Sequence, residues 1–249
     1  MKNKFIIVTP FYNVQEWVKY CVRSVDRQKY DNYEHYLIDD LSTDQTCEII
    51  EKEISDNDKI RLIKNTEKKY ALKNIHDTLE DIKPDDNDII VILDGDDWLA
   101  NVDVLNRLDE IYNKEDCWMT YGSYMEYPSN TIGKFSKQIP DHVIEQKSYR
   151  KSPWMSSHLR TFRYKLWKNI DKKDFIYSQT GNFVKAAWDL AFVFPMLEMA
   201  GHRAKYVKDI LYIYNRQNPL NEDKVNHPVQ LSEEAEVRSR EVYESREEL

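Results

Sequence analysis

The most chemically suggestive segment of the chain is an apolar run that leads directly into three aspartates. Residues 88–99 read DIIVILDGDDWL, where the run ends at Leu93 and Asp94, Asp96 and Asp97 follow. Carboxylates crowded at the end of a buried strand repel one another, unless a cation lies between them. Asp94 and Asp96 point the same way if the chain stays extended. The segment predicts a site for a divalent cation and a hydroxyl-rich ligand; the alternative is a polar turn that caps the next helix.

Polar residues also follow the other predicted strands of the first half. Pro10 and Tyr12 come after FIIV, Asp39 and Asp40 come after HYLI, and Asn65 comes after RLIK. Ligands of parallel α/β sheets bind beyond the carboxyl ends of the strands, where these residues would meet. The spacing therefore predicts that five carboxylates converge on one edge of the sheet.

The elements that would position these residues alternate between strand and helix over the first 120 residues. Short β-rich runs are separated by segments with apolar residues at helical spacing, such as VQEWVKYCVRSV and ALKNIHDTLEDI. Ser42 and Gln45 have the spacing of a capping box at the start of the second helix. The alternation predicts a largely parallel sheet with helices on both faces.

The second half of the chain shows weaker patterns. Residues 123–180 contain many aromatic and basic residues but few clear elements. The segment WDLAFVFPMLEMAG predicts a helix that Pro195 interrupts or kinks, and AKYVKDILYIYN predicts one or two strands. The last residues are charged and predict a solvated helix or a loose tail with almost no core.

Composition excludes several classes of protein. The net charge of −8 argues against a nucleic-acid binder with a broad basic face. The five glycines form neither a Rossmann nor a P-loop phosphate cradle, so a metal held by carboxylates is the candidate for neutralising phosphates.

No apolar run approaches the roughly 20 residues of a membrane span, and the N-terminus predicts a first strand rather than a signal peptide. Three widely separated cysteines predict no disulfide framework and fit a reducing compartment.

The segments VTPFYN, LIDDLSTD and VILDGDDWL, taken in order and spacing, resemble family 2 glycosyltransferases of the GT-A fold over about the first 120 residues. AAWDLAFVFPMLEMAG and ILYIYNRQN are similar to the acceptor half of that family. The resemblance implies an α/β fold of GT-A type, with a mostly parallel nucleotide-binding sheet flanked by helices and a mixed acceptor-binding half. It implies a nucleotide-sugar-binding half at 1–120, an acceptor-binding and catalytic-base half of the same domain at 121–228, and a charged C-terminal helix or tail at 229–249.

The resemblance also implies roles for individual residues. Asp189 would be the catalytic base, and Asp96 and Asp97 would bind the metal. Residues that would contact the nucleotide or the donor sugar are Pro10, Tyr12, Asp40, Lys73, Asp94, His158 and Arg216, with Asp40 on the uracil ring and Asp94 near the ribose.

Three positions depart from the family pattern. Leu41 stands where a glycine is expected after the aspartate pair, and Trp188 stands where an acid is expected before the base. Lys73 and Asn74 replace the usual Arg-Asn pair on the third helix. For Lys73 the alternative is a solvated helical lysine, and for His158 it is a structural histidine. For Asp189 the alternative is a helix N-cap.

The implied activity is a metal-dependent, inverting transfer of a hexose or N-acetylhexosamine from a UDP-sugar to a hydroxyl of a glycan, protein or lipid. The cofactor would be Mn²⁺ or Mg²⁺, and no nucleic-acid partner or transmembrane segment is expected. The location would be cytoplasmic, or peripheral at a membrane if the acceptor is a lipid. Two alternatives stay open: a degenerate, non-catalytic sugar-nucleotide-binding module and a nucleotidyltransferase. A nucleotidyltransferase would normally have a glycine-rich basic loop after the first strand, but the segment TPFYNVQEW contains neither a glycine nor a basic residue.

Overall fold

The computed structural model describes residues 2–225 and 227–248. Eleven strands are formed in this part of the chain: β1 Phe5–Phe11, β2 Tyr33–Asp39, β3 Ile60–Lys64, β4 Ile89–Ile92, β5 Trp98–Leu99, β6 Met119–Tyr127, β7 Thr131–Ile132, β8 Arg160–Arg163, β9 Ile176–Tyr177, β10 Asn182–Phe183 and β11 Ala204–Asn215. The α-helices of the same residues are α1 Val18–Asp26, α2 Thr46–Glu53, α3 Tyr70–Ile82, α4 Val104–Lys114, α5 Asp141–Glu145, α6 Tyr164–Lys168, α7 Trp188–Ala200, α8 Glu222–Val225 and α9 His227–Ser239.

The first half of the chain builds a parallel sheet in the order β3-β2-β1-β4. In β1 every residue is buried, and successive side chains contribute to different core clusters: Ile6 and Val8 belong to one, Phe5 and Ile7 to another. This period of two, together with helices packed on each face, explains the continuously apolar strands. The predicted α/β fold with a mostly parallel, helix-flanked sheet is confirmed.

The second half continues the same sheet in mixed orientation. Strand β8 pairs antiparallel with both β4 and β6, while β11 runs parallel to β6 and antiparallel to β5. Strand β8 lies in the segment where the sequence predicted few elements. The domain boundaries predicted at residues 120 and 228 stay predictions.

The predicted capping box was wrong, and of the two effects predicted for Pro195 the structure excludes the interruption. Ser42 does not cap α2: its hydroxyl instead accepts a hydrogen bond from the backbone N–H of Asn13, and the Asp44 carboxylate accepts one from the N–H of Thr46. Helix α7 runs through Pro195 without interruption. It is buried on nearly all sides, so packing offsets the one hydrogen bond that proline cannot donate.

The C-terminal segment contains more core than its charged sequence predicts. Helix α9 packs against α7, and its side chains of Val237 and Glu233 are each 1% exposed. Arg150 links the two helices, because its guanidinium binds the buried Glu198 carboxylate of α7 at 2.6 Å and the carbonyl oxygen of Val237 at 2.6 Å. Charged residues of this segment are therefore used as internal partners.

Candidate active site

A cleft of about 400 Å³ lies at the carboxyl edge of the parallel strands. Its walls include residues from β1, the loops after β2 and β4, the start of α7 and the segment that follows β11. Most of the site residues predicted from the sequence line it: Pro10, Tyr12, Asp40, Asp94, Asp96, His158 and Asp189. Of the five carboxylates predicted to converge, three line this cleft, whereas Asp39 and Asp97 are not among its lining residues.

Asp40 lies at the end of β2 and is 4% exposed. Its carboxylate accepts hydrogen bonds from the backbone N–H groups of Lys69 at 2.7 Å and Tyr70 at 3.0 Å, and the Lys68 ammonium lies 3.3 Å away. Burial by itself would raise the pKa of Asp40, but these hydrogen bonds and the ammonium together hold the pKa below its usual value. The carboxylate is therefore ionised and fixed at the cleft wall.

The residue after this aspartate has an unusual backbone conformation. Leu41 has φ of +66°, in the left-handed region that costs a side chain with a Cβ about 1 to 2 kcal/mol. This geometry explains why a glycine is expected at the position, and it shows that the turn is formed without one.

Tyr12 presents a ring to the cleft and is 39% exposed. The Lys68 ammonium lies 3.1 Å from the centre of that ring, so it contacts both Tyr12 and Asp40. Lys68 lines the cleft, and the sequence analysis missed it. The available signal was a basic residue shortly before the third helix, whereas the family pattern points to Lys73.

The turn after β4 holds the three aspartates in different environments. Gly95 is required between the first two, because a Cβ there would lie 2.4 Å from the Cβ of Phe11. Asp96 accepts a hydrogen bond from the Asn218 side chain at 2.7 Å. Asp97 is fully buried and accepts hydrogen bonds from the Tyr212 hydroxyl and from the backbone N–H of Asn215, both at 2.6 Å.

Within the described residues, potential metal ligands come together at Asp94, Asp97 and His158, whose ligand atoms all lie within 4.8 Å of one another. Tyr212 contacts all three. Its hydroxyl donates to Asp97 and lies 3.4 Å from Asp94, and its ring stacks on the His158 imidazole at 4.5 Å between centroids. Asp96 is not in this group, so its predicted role as a metal ligand stays a prediction.

The charges of this group fit a cation. Burial raises the pKa of Asp94 to about 7, although Arg160 acts in the opposite direction, and burial with the neighbouring Asp96 and Asp94 raises the pKa of Asp97 well above its usual value. Burial, with Arg160 nearby, lowers the pKa of His158, so the imidazole is neutral and can act as a ligand. The Nδ1 atom of His158 is buried and has no hydrogen-bond partner among the described residues. Two carboxylates and a neutral imidazole therefore form a group that could hold a metal ion.

Asp189 lies in the first turn of α7, opposite the acidic turn. Its Oδ2 atom forms an ion pair with Arg160 of β8 at 2.7 Å, and its Oδ1 atom accepts a hydrogen bond from the N–H of Leu190. Arg160 is 4% exposed and lies 5.8 Å from the ring centre of Trp188. The carboxylate is thus oriented by a neighbouring strand and its side chain is 21% exposed.

Two predicted donor-binding residues are not among those that line the cleft in the described part of the chain. The Lys73 ammonium binds the Asp77 carboxylate at 2.9 Å, one turn along α3. The Arg216 guanidinium lies 5.6 Å from the ring centre of Tyr214. Their proposed contacts with the donor stay predictions.

Tyr212 and Asn218 were missed as well. Tyr212 and Tyr214 are two residues apart in β11 and both stack on His158, so strand periodicity was a usable signal for this face. Nothing in the sequence near Asn218 indicated its contact with Asp96, because the two residues are far apart in the chain.

Comparison with known proteins identifies the family pattern described as "Glycosyl transferase family 2" over residues 6–191. An uncharacterized glycosyltransferase of Haemophilus influenzae is 32% identical over 120 residues, which are 47% of this chain and 46% of that protein. The uncharacterized glycosyltransferase EpsJ of Bacillus subtilis is 24% identical over 216 residues, which are 86% of this chain and 61% of that protein. A match to the teichoic acid poly(glycerol phosphate) polymerase of Staphylococcus epidermidis covers only 15% of that protein, so the chain spans a part of the curated relatives it matches.

Solved structures with the same fold include glycosyltransferases with bound nucleotides. TarS of S. aureus in complex with UDP-GlcNAc has a TM-score of 0.67 at 15% identity, covering 97% of this chain and 68% of that one. The mannosyltransferase PcManGT of Pyrobaculum calidifontis, in complex with GDP-Man and Mn²⁺, has a TM-score of 0.64 at 15% identity. The match covers 98% of this chain and 66% of that one. Across residues 2–225 and 227–248, none of the helices has the length and apolar character needed to cross a bilayer.

Proposed function

Because this chain belongs to glycosyl transferase family 2, we propose that it transfers a hexose or N-acetylhexosamine from a UDP-sugar to an acceptor hydroxyl with inversion at the anomeric carbon. The observation that carries the proposal is the single cleft shared by Tyr12, Asp40, Asp94 and Asp189. The TarS complex with UDP-GlcNAc supports a UDP-sugar as donor. The acceptor is a glycan, a protein or a lipid.

The base of the donor binds at the ends of β1 and β2. The ring of Tyr12 offers a stacking surface, and the Asp40 carboxylate is held in place to accept a hydrogen bond from the N–H of uracil. The Lys68 ammonium stands beside both groups and can donate to a carbonyl oxygen of the same base. The first half of the chain therefore supplies donor affinity and selects the base.

Asp94, Asp97 and His158 would hold a Mn²⁺ or Mg²⁺ ion, which supplies a positive charge for the diphosphate leaving group. The Mn²⁺ complex of PcManGT supports a divalent ion in this fold. Asp96 lines the same cleft and is the further candidate ligand. The structure-based ligand set thus shares Asp97 with the set predicted from the sequence and adds Asp94 and His158.

Asp189 acts as the general base. Its carboxylate accepts the proton of the acceptor hydroxyl while the hydroxyl oxygen forms a bond to the anomeric carbon, whose bond to the diphosphate oxygen breaks. Arg160 orients the carboxylate through the 2.7 Å ion pair. A direct attack opposite the leaving group inverts the configuration in one displacement.

The proposal is tested by adding a panel of UDP-sugars, with and without Mn²⁺, and measuring the thermal unfolding midpoint and the release of free sugar. A donor that binds the native state raises Tm, and a competent site releases sugar slowly to water. We expect one UDP-sugar to do both in a Mn²⁺-dependent manner. Binding without release would support a non-catalytic module, and indifference to every UDP-sugar would overturn the proposal.

A further inference from the structure

The residue at the N-cap position of α7 cannot cap the helix with its side chain. The sequence before it reads KAAWD, and Ala187 at the N-cap position has no side-chain atom that could accept a hydrogen bond. The first N–H groups of a helix need such partners, which a nearby Ser, Thr, Asp or Asn usually supplies. The start of α7 is also where Trp188 and Asp189 enter the cleft.

A carboxylate from α9 binds the backbone that leads into α7. The Glu233 carboxylate accepts hydrogen bonds from three consecutive backbone N–H groups: Lys185 at 3.0 Å, Ala186 at 2.7 Å and Ala187 at 3.1 Å. Glu233 is 1% exposed, so these charge-assisted bonds are shielded from water. A negative charge at a helix N-terminus is stabilised further by the helix dipole.

Helix α9 is also held in place by hydrogen bonds that do not involve the start of α7. Glu236 accepts hydrogen bonds from the backbone N–H and the hydroxyl of Ser178. Arg238 donates to the carbonyl oxygens of Arg150 and Ser152 at 2.8 and 3.0 Å. These contacts keep α9 docked when Glu233 is changed, so the contribution of Glu233 can be measured separately.

We propose that Glu233 is a positioning residue for the reaction: its carboxylate fixes the backbone of Lys185–Ala187 and thereby sets where Asp189 meets the acceptor. This inference rests on the proposed function, because it takes Asp189 as the base. The residues matched by the family pattern end at 191, so a segment outside that match would determine the geometry of the catalytic residue inside it.

The test compares Glu233→Gln with the control Glu236→Gln, which changes the same helix one turn away. We expect Glu233→Gln to lower kcat by about tenfold or more while the Kd for UDP stays within about twofold, since a small misplacement of a reacting group is enough to slow the chemistry strongly. Glu236→Gln should leave kcat and the Kd for UDP unchanged. A purely structural role would lower Tm but leave kcat unchanged at temperatures where the variant is folded, and that result would overturn the inference.

A second readout does not need activity. Amide hydrogen exchange of a peptide covering residues 184–190 should accelerate in Glu233→Gln and not in Glu236→Gln, because the carboxylate protects those N–H groups. Unchanged exchange would overturn the inference. If the unaltered protein shows no transfer with any donor, the proposed function fails, while this measurement still decides whether Glu233 holds the start of α7.

Discussion

The two walls of the cleft are built by different means. On the wall formed by the first half, the functional side chains lie directly at the ends of β1, β2 and β4, so the sheet itself places them. On the other wall, Asp189 depends on Arg160 of β8, and its helix begins against Glu233 of α9. The wall proposed to bind the donor can thus be encoded in short motifs, whereas the wall that contains the proposed base relies on contacts between residues far apart in the chain.

The largest expected effect comes from changing the proposed base, Asp189, which lies on only one of the two walls of the cleft. Asp189→Asn removes the base and leaves the ends of β1 and β2 unchanged, so kcat should fall by about 10²- to 10⁴-fold while the Kd for UDP changes little. Steady-state kinetics and calorimetric titration with UDP measure the two quantities. If Asp189→Asn lost affinity for UDP instead, Asp189 would contribute to donor binding. The two walls of the cleft would then not have separate roles.

The pH dependence of metal binding should be the next largest effect. Burial raises the pKa of Asp94 to about 7 in the metal-free protein, so below pH 7 a cation must displace a proton. The apparent affinity for Mn²⁺ should therefore fall by about tenfold or more for each pH unit below 7, because Asp97 also holds its proton more tightly than usual. Without metal, the folded state holds this proton more tightly than the unfolded state, so the Asp94 contribution to stability decreases as pH rises from about 4 to 7.

Titrations with Mn²⁺ at pH 5.5, 6.5 and 7.5 check this dependence. Asp94→Asn, which has no proton to displace at that position, should bind more weakly and with a flatter pH profile. Equal affinity of the unaltered protein at all three pH values would show that Asp94 is not a ligand.

Tyr212 connects the two walls, and its hydroxyl can be removed without loss of the ring. Tyr212→Phe keeps the stack on His158 but leaves Asp97 without its 2.6 Å donor. Loss of a hydrogen-bond donor to a metal-binding carboxylate typically lowers metal affinity 10- to 100-fold, and we expect a decrease of this size for Mn²⁺. Tyr206→Phe is the matched control on the same strand, because the Tyr206 hydroxyl binds Ser123 instead. Equal Mn²⁺ affinity in both variants would contradict the role given to Tyr212.

The smallest expected effect concerns the donor wall alone. Leu41 has φ of +66°, and Leu41→Gly should relieve strain and raise the free energy of unfolding by about 1 kcal/mol, reduced by the greater entropy that glycine gives the unfolded chain. Chemical denaturation measures the change, and UDP affinity should be unaltered because the Asp40 contacts are made by the loop of Lys69 and Tyr70. A destabilised variant would mean that the Leu41 side chain contributes contacts that outweigh the strain.

The sequence predicted the parallel half of the fold and the residues that line the first-half wall of the cleft, because both depend on local patterns. Apolar runs identify β1 and β4, and the polar residues that follow them lie at the edge that parallel topology dictates. Strand β8 was missed because Arg160 and Arg163 are unusual in a central strand. In the structure Arg160 binds Asp189, and Arg163 donates to the carbonyl oxygens of Cys117, Asn87 and Tyr112.

The other misses have the same physical origin. The acidic, charged character of α9 predicted a solvated segment, yet Glu233 is buried and accepts hydrogen bonds from three backbone N–H groups of the loop before α7. Tyr212 became a site residue through side-chain contacts across the sheet, from β11 to the turn after β4. Such pairings depend on tertiary contacts, which hydrophobic periodicity does not encode.

The central claim is that the cleft transfers a sugar by direct displacement, and the anomeric form of the first product tests it most directly. Proton NMR can follow the slow hydrolysis of an α-linked UDP-sugar in the presence of Mn²⁺, before the free sugar equilibrates. We expect the β-anomer to form first, and we expect neither EDTA-treated protein nor Asp189→Asn to release it. Initial release of the α-anomer, or release that persists in Asp189→Asn, would contradict the account.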